Sequence, residues 1–286
     1  MKLQKIGNIM EGQDGAIWNN LIFRFNHAAK CAVYDASKMI NGDSTAIAYF
    51  ELDKKDLIMP HSNAVFFGNE YYADGDEFPI LYSNVYNNYS RCENKRKGQC
   101  CAYRLQREGK SFTTTLLQVI EIAFVEDDTL WCSADKNDTR PYGNLVIDRE
   151  KGIYYAFTMI DDLGKSRYFA FDLPKCRDGV TDDRLGVKRV VLGKDDIKDS
   201  FDCEYHRFIQ GACAHGGKIY SLEGFGHDKV NVPAIRVINP ETKSQEIFEV
   251  FENFDSPTEP ELIDFWDGVC YYGDNPGNMY VLTELE

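Results

Sequence analysis

The chain repeats one pattern, in which a polar or glycine-rich step leads into an apolar, aromatic-rich strand: Gln13-Asp14-Gly15-Ala16, His61-Ser62-Asn63-Ala64, Pro141-Tyr142-Gly143-Asn144, Ile209-Gln210-Gly211-Ala212 and Glu259-Pro260-Glu261-Leu262. Strand-forming units that recur along one chain are typical of a β-propeller, in which each unit builds one blade. The five repeats therefore predict an all-β, five-bladed β-propeller of four-stranded antiparallel blades, with residues 1–286 forming a single domain.

The spacing of the repeats is uneven. They start near residues 15, 63, 143, 211 and 261, so the intervals are 48, 80, 68 and 50 residues. A five-bladed ring then requires long loops in its second and third blades. Strands separated by regular turn signals are also typical of a large β-sandwich, which is the alternative fold.

Alternating apolar positions and turn residues predict the strands inside each blade. In blade one, Ala16–Phe25 is predicted as a single inner strand. The last repeat holds only three strands, and Leu3–Met10 is predicted to supply the fourth, which would cover an exposed sheet edge. A short helix is predicted within Pro174–His206.

Composition and charge narrow the classes of partner. The formal net charge is −14, and the basic residues form no extended tract, which argues against nucleic acid. No segment approaches the length of apolar sequence that a membrane-spanning helix needs, so we expect no membrane insertion. The first residues lead into no apolar signal region, and the chain is expected to be cytoplasmic.

The cysteines and histidines show no catalytic or metal-binding spacing. Nine cysteines are present without a C-x-x-C pair, and this usage is typical of buried free thiols in a reducing compartment. No Ser, His and Asp arrangement predicts a hydrolase triad.

In a propeller, the residues that begin the innermost strands converge on one central funnel. In this chain they are polar, and we expect them to form a pocket for a small polar or peptidic ligand. The candidate ligand-binding residues are Gln13, Asp14, His61, Asn63, Tyr142, Gln210 and Glu259, with Glu261 as the candidate catalytic residue. The same residue types also satisfy turn geometry and tie neighbouring blades together, so a structural role stays open for each of them.

Two further chemistries are disfavoured. Glycosidases of this fold class need paired carboxyl groups on several inner strands, whereas the second and third repeats offer Ser62-Asn63 and Tyr142-Gly143. The loop Asp74-Gly75-Asp76-Glu77 carries oxygen ligands suited to calcium but is shorter than a dedicated ion loop. A solvated loop is the favoured interpretation, and no cofactor is expected.

Blades four and five resemble the five-bladed glutaminyl cyclotransferases. The similarity lies in Phe208-Ile209-Gln210-Gly211, Gly217-Lys218-Ile219-Tyr220-Ser221, Ala234-Ile235-Arg236-Val237-Ile238 and Glu261-Leu262-Ile263. It covers roughly 80 residues and implies an acid/base role for Glu261. Pro60-His61-Ser62-Asn63 and Glu77-Phe78-Pro79-Ile80-Leu81-Tyr82-Ser83 resemble bacterial propeller proteins to which no activity is assigned.

The sequence is compatible with two functions. The first is a binding propeller, whose funnel holds a small polar or peptidic ligand or whose loops hold a partner protein. The second is an aminoacyl cyclotransferase in which Glu261 relays a proton. The second requires a desolvated Glu261 with a raised pKa.

Overall fold

The computed structural model describes residues 2–85, 99–123, 144–160, 164–204, 208–226, 232–250 and 258–284. These residues form five β-sheets. The innermost strand of each sheet contacts the innermost strands of both neighbouring sheets, so the five strands close a ring. The fold is the five-bladed β-propeller that the repeats predict, and the sandwich alternative is wrong.

The strands are numbered along the chain, and the strands of each blade follow one another from the channel outwards. Blade one consists of β2 (Gly15–Trp18), β3 (Leu21–Phe25), β4 (Lys30–Asp35) and β5 (Ala48–Glu51). Blade two begins with β6 (Val65–Phe67), β7 (Leu81–Asn84), β8 (Gln99–Glu108) and β9 (Ser111–Ile122). Blade three consists of β10 (Leu145–Asp148), β11 (Ile153–Ile160), β12 (Lys165–Asp172) and β15 (Asp199–Glu204).

The last two blades follow the same order. Blade four consists of β16 (Ile209–His215), β17 (Lys218–Glu223), β18 (Ala234–Ile238) and β19 (Gln245–Glu249). Blade five consists of β20 (Pro260–Trp266), β21 (Val269–Asp274), β22 (Asn278–Glu284) and β1 (Lys2–Asn8). Two short helices, α1 (Ala36–Ile40) and α2 (Lys55–Ile58), flank β5. No helix in the described ranges has both the length and the apolar character needed to cross a bilayer.

Blade one contains two strands where the sequence predicts one. Asn19 and Asn20 both adopt positive φ, at 49° and 63°, and form a two-residue turn between β2 and β3. Asparagine tolerates this left-handed conformation better than most residues, and two such residues in succession suit a tight hairpin. The prediction of Ala16–Phe25 as a single strand is therefore wrong.

The short helix predicted within Pro174–His206 is a single 3₁₀ turn, and the segment is otherwise mostly strand. The described part of this segment forms β13 (Val180–Asp182), β14 (Val187–Leu192), a 3₁₀ turn at Lys194–Asp196 and β15. β14 pairs in parallel with β9, so blade two gains β14 and β13 beyond its four expected strands. An excursion from blade three thus covers the outer edge of blade two.

The N-terminal strand closes the ring as predicted. β1 runs antiparallel to β22, with Leu3 opposite Leu282 and Lys5 opposite Tyr280. Blade five is therefore built from both ends of the described chain. This pairing supplies hydrogen-bond partners to an edge strand that would otherwise face solvent.

The hydrophobic core lies between neighbouring blades. Between blades one and two, Phe23 contacts Phe67 and Phe112, with ring centroids 5.3 and 5.8 Å apart. These aromatic side chains come from the inner and outer strands of two different sheets, so they fix one blade against the next. Seven cysteines in the described ranges are buried with free thiols, as their spacing predicts.

Candidate functional site

The predicted site residues lie at the starts of the inner strands. Asp14 immediately precedes β2, Glu259 immediately precedes β20, and Gln210 and Glu261 are the second residues of β16 and β20. His61, which is half-buried, precedes β6 by four residues. Tyr142 lies outside the described residues.

Glu261 is buried, at 1% exposure, and only one of its two carboxyl oxygens is used. Oε1 accepts hydrogen bonds from Gln13 Nε2 at 3.3 Å and from Asn275 Nδ2 at 3.1 Å. Among the described residues, Oε2 has no hydrogen-bond partner. Burial raises the pKa of Glu261 to about 8, because a charge in this position loses its hydration, and the negative charge of Glu259 adds to the effect.

Gln210 and Glu259 form a second pair beside Glu261. Gln210 Nε2 donates a hydrogen bond to Glu259 Oε1, which holds the Glu259 carboxylate at the start of β20. Glu259 is half-buried, whereas Glu261 is buried. The site therefore has a partly accessible acid near a desolvated one.

Asp14 ties blade one to blade two. Its Oδ2 accepts a hydrogen bond from the backbone N–H of Val65 at 2.8 Å, and its own backbone N–H donates to the Ser62 carbonyl at 3.2 Å. Oδ2 of Asp14 therefore links the two blades. Its Oδ1 has no hydrogen-bond partner within the described ranges. Desolvation by burial raises the pKa of Asp14 well above its usual value.

Asn63 is joined to its own blade. Its Oδ1 accepts a hydrogen bond from Asn84 Nδ2 at 2.7 Å, and Asn84 Oδ1 in turn accepts from the Ala64 N–H. Both asparagines are buried. This contact secures the turn that leads into β6.

Two charged residues of this region are absent from the sequence-based prediction. Asp264 repeats the role of Asp14 at the next seam, since its Oδ2 accepts from the Ile17 N–H at 2.7 Å and so ties blade five to blade one. Arg24, on β3, is completely buried, and its Nη2 donates to the carbonyls of Gly12 and Asp274. An arginine between Phe23 and Phe25 in an apolar strand is the signal that could have revealed it.

The loop considered for calcium is held by arginines. Asp76 forms a two-point ion pair with Arg104, at 2.6 and 3.0 Å, and Glu77 pairs with Arg107. Asp74 and Gly75 are exposed, as expected for a solvated loop, whereas the Asp76 side chain is held against the sheet of blade two. Within the described ranges, no cluster of three or more His, Cys, Asp or Glu side chains is arranged to hold a metal ion.

Trp18, Trp266 and Arg149 pack together at the opposite end of the inner strands. Arg149 lies over the ring of Trp18, which contacts Trp266 at 5.2 Å between centroids. Arg149 also donates to the Phe265 carbonyl at 2.8 Å. A cavity of about 10 Å³, lined in part by Ile147 and Arg149, lies beside these residues and has at most the room for one water molecule.

Fold and site together define a five-bladed β-propeller with a buried acidic cluster at the strand-start end of its channel. No protein-family model and no curated protein matches the chain. Among solved structures it is similar to glutaminyl cyclase of Myxococcus xanthus, at 9% identity over 98% of both chains and a TM-score of 0.46. It is also similar to BamB of Moraxella catarrhalis, at 9% identity over 96% of this chain and a TM-score of 0.34, and spans 59% of that protein. A third likeness is the designed protein Ika8, at 10% identity, covering 97% of this chain and 99% of the other, with a TM-score of 0.38.

Proposed function

We propose that the protein binds a small polar or peptidic ligand through an amino group, at the strand-start end of the propeller channel. The observation that carries this proposal is Glu261. Its carboxyl group is buried, one oxygen is held by two amide groups, and the other oxygen has no partner in the described part of the chain. Such an oxygen is suited to a hydrogen-bond donor brought by a ligand.

The charges near Glu261 favour an amine over an anion. Two acids near it, Glu259 and Asp274, outnumber the one cation, Arg24, and the chain carries a net charge of −14. An ammonium group next to two carboxyl groups makes charge-assisted hydrogen bonds, which are stronger than neutral ones. A phosphate or carboxylate ligand would instead be repelled.

Proton transfer accompanies binding in this proposal. Glu261 carries a proton at neutral pH because its pKa is about 8. An amine that enters uncharged takes this proton and leaves an ion pair, whereas an ammonium ion forces the proton out to solvent. Binding of an ammonium ligand should therefore strengthen as the pH rises towards 8.

A second candidate function is aminoacyl cyclisation, and the same pKa favours it. A carboxyl group that titrates near neutral pH can both accept and donate a proton. In this reaction the α-amine nitrogen of an N-terminal glutamine attacks the side-chain amide carbon, a C–N bond forms, and the bond to the leaving ammonia breaks. Glu261 would take a proton from the amine and return it to the ammonia, while Gln210 orients the amide.

One experiment tests both functions. Tripeptides that begin with glutamine, alanine or N-acetylalanine are titrated into the protein by calorimetry, and the glutamine peptide is then examined by mass spectrometry for loss of ammonia. We expect the free-amine peptides to bind, the acetylated peptide not to bind, and Glu261→Gln to weaken binding about 10- to 100-fold.

The matched control is Glu246→Gln, the same change on an exposed glutamate of β19. It should behave as the wild type. Equal binding of the free and acetylated peptides, or no binding at all, would contradict the amine site. Loss of ammonia with the wild type but not with Glu261→Gln would establish the cyclisation, and unchanged peptide would leave binding alone.

A further inference from the structure

Arg24 is held at the seam where the propeller ring closes. Its Nη2 donates to the Gly12 carbonyl at 2.8 Å and to the Asp274 carbonyl at 2.6 Å. Gly12 lies on the link between β1 and β2, and Asp274 is the last residue of β21. One nitrogen of a buried cation thus bridges blade five and the entry to blade one.

Two glycines lie against the guanidinium group, and Gly12 is the tighter of the two. A Cβ atom at Gly12 would lie 3.3 Å from Arg24 Nε and 2.4 Å from the Phe25 carbonyl oxygen. A Cβ atom at Gly273 would lie 3.6 Å from Arg24 Nη1 and 2.8 Å from the Met279 sulfur. A side chain at Gly12 would therefore crowd both the backbone of β3 and the guanidinium group.

The remaining donors of Arg24 are unused. In the described part of the chain, Nε and Nη1 have no hydrogen-bond partner, and the same is true of Asp14 Oδ1 and Glu261 Oε2. The cluster therefore contains two donor nitrogens of a cation and two oxygens of acids without a partner in the described ranges, and all four atoms are buried. Buried polar atoms without partners are rare, so four in one cluster point to a functional arrangement.

Asp274 is the third acid near Arg24, and both oxygens of its carboxylate already accept hydrogen bonds. Its carboxylate accepts from the Asn278 N–H at 2.6 Å, from Asn278 Nδ2 at 2.7 Å and from Thr258 Oγ1 at 2.5 Å. The negative charges of Glu261, Asp14 and Asp274 all act on Arg24, and of these three acids Asp14 and Glu261 are the ones that keep an oxygen without a hydrogen-bond partner in the described ranges. Around Glu261, Glu259 and Asp274 raise its pKa, while Arg24 and the Asn275 hydrogen bond lower it.

We propose that Arg24 is a positioning residue for Glu261, and that its anchored guanidinium supplies the buried positive charge that allows Glu261 to lose its proton when a ligand amine arrives. This inference rests on the proposed amine site for its purpose, but the pairing of Arg24 with Glu261 can be tested without any ligand. If Arg24 only stabilised the contact between blade five and blade one, its replacement would leave the pKa of Glu261 unchanged.

The test follows Glu261 directly by carbon NMR of protein labelled at the glutamate carboxyl carbons, with Glu261→Gln to assign the resonance. We expect a midpoint near 8 in the wild type. In Arg24→Met the midpoint should rise by about one pH unit or more, because a stabilising positive charge is lost. In Arg24→Lys, which keeps the charge, it should rise less. An equal midpoint in wild type and Arg24→Met would overturn the inference.

A second measurement needs no change at Arg24, and it decides the matter if the methionine variant does not fold. The Nε–H resonance of Arg24 in the wild type should shift with the same midpoint as the Glu261 carboxyl carbon and should not do so in Glu261→Gln. A pH-independent resonance in the wild type would contradict the pairing. If the pairing holds while free-amine peptides fail to bind, only the proposed function is lost.

Discussion

Glu261 shows how burial alone can change the chemistry of one residue. A carboxyl group in water releases its proton near pH 4.5, whereas the pKa of Glu261 in the folded protein is about 8. The cause is the loss of hydration around the charged form, reinforced by Glu259 and opposed by Asn275 and Arg24. The residue that is best placed to react is therefore also one that costs stability when it ionises.

This cost makes a prediction for stability against pH. Between pH 4.5 and about 8, the unfolded chain releases the Glu261 proton while the folded protein keeps it, so the free energy of unfolding falls as the pH rises. The full effect is at most about 5 kcal/mol and is complete near pH 9. In Glu261→Gln this contribution disappears. Urea denaturation at pH 5, 7 and 9 measures it, with Glu246→Gln as the control, and parallel curves for wild type and Glu261→Gln would refute it.

At the level of elements, blade four is held by a buried ion pair between adjacent strands. Arg236 on β18 donates to both carboxylate oxygens of Glu223 on β17, at 2.6 and 3.2 Å, and both side chains are almost fully buried. Arg236 Nη1 also donates to Gln245, whose Oε1 accepts from the Glu204 N–H in blade three. Together these contacts link four strands, β17, β18 and β19 of blade four and β15 of blade three.

Breaking this pair should be costly. Glu223→Ala leaves the Arg236 cation buried without its partner, and we expect it to lower the free energy of unfolding by about 3–5 kcal/mol. The double change Glu223→Leu with Arg236→Met removes both charges and should cost less than the single change. Urea denaturation compares them, with Glu241→Ala at the exposed Lys151–Glu241 pair as a control of little effect. A double variant less stable than Glu223→Ala would contradict this account.

For the whole molecule, the decisive contact is the pairing of β1 with β22. The inner strands form a closed ring, and within the described ranges β1 covers the outer edge of blade five. The link from β1 to β2 also carries Gly12, which binds Arg24, so ring closure and the acidic cluster share one segment.

Removal of residues 1–8 should expose the β22 edge, lower the melting temperature by on the order of 10 °C and promote aggregation. A circular permutant in which β1 follows β22 through a short linker, with new ends between β1 and β2, retains the pairing and should melt near the wild type. Calorimetry and light scattering measure both. A truncated protein that melts with the wild type would show that the edge strand adds nothing to the ring.

The repeating sequence pattern was sufficient for the architecture. Blade number, the closing role of Leu3–Met10 and the polar strand starts all follow from local periodicity, since alternating side chains and turn residues act over a few neighbouring positions. The local sequence pattern gave the wrong secondary structure where a second factor, turn geometry or pairing with a distant strand, outweighed it. Asn19 and Asn20 sit inside an apolar run yet form a turn, and the excursion after Pro174 becomes strands because β9 offers a free edge for pairing.

The properties of the site emerged only in the folded protein. Gln13 and Glu261 are 248 positions apart and share a hydrogen bond because ring closure brings blade five beside blade one. Glu259 and Glu261 are both acids at the start of β20, but Glu261 is buried and Glu259 is only half-buried. Arg24 appears in the sequence as a strand residue, and its proximity to Glu261 depends on packing between blades. Hydration, charge and proximity in three dimensions set these properties, and none of them can be read from neighbouring residues alone.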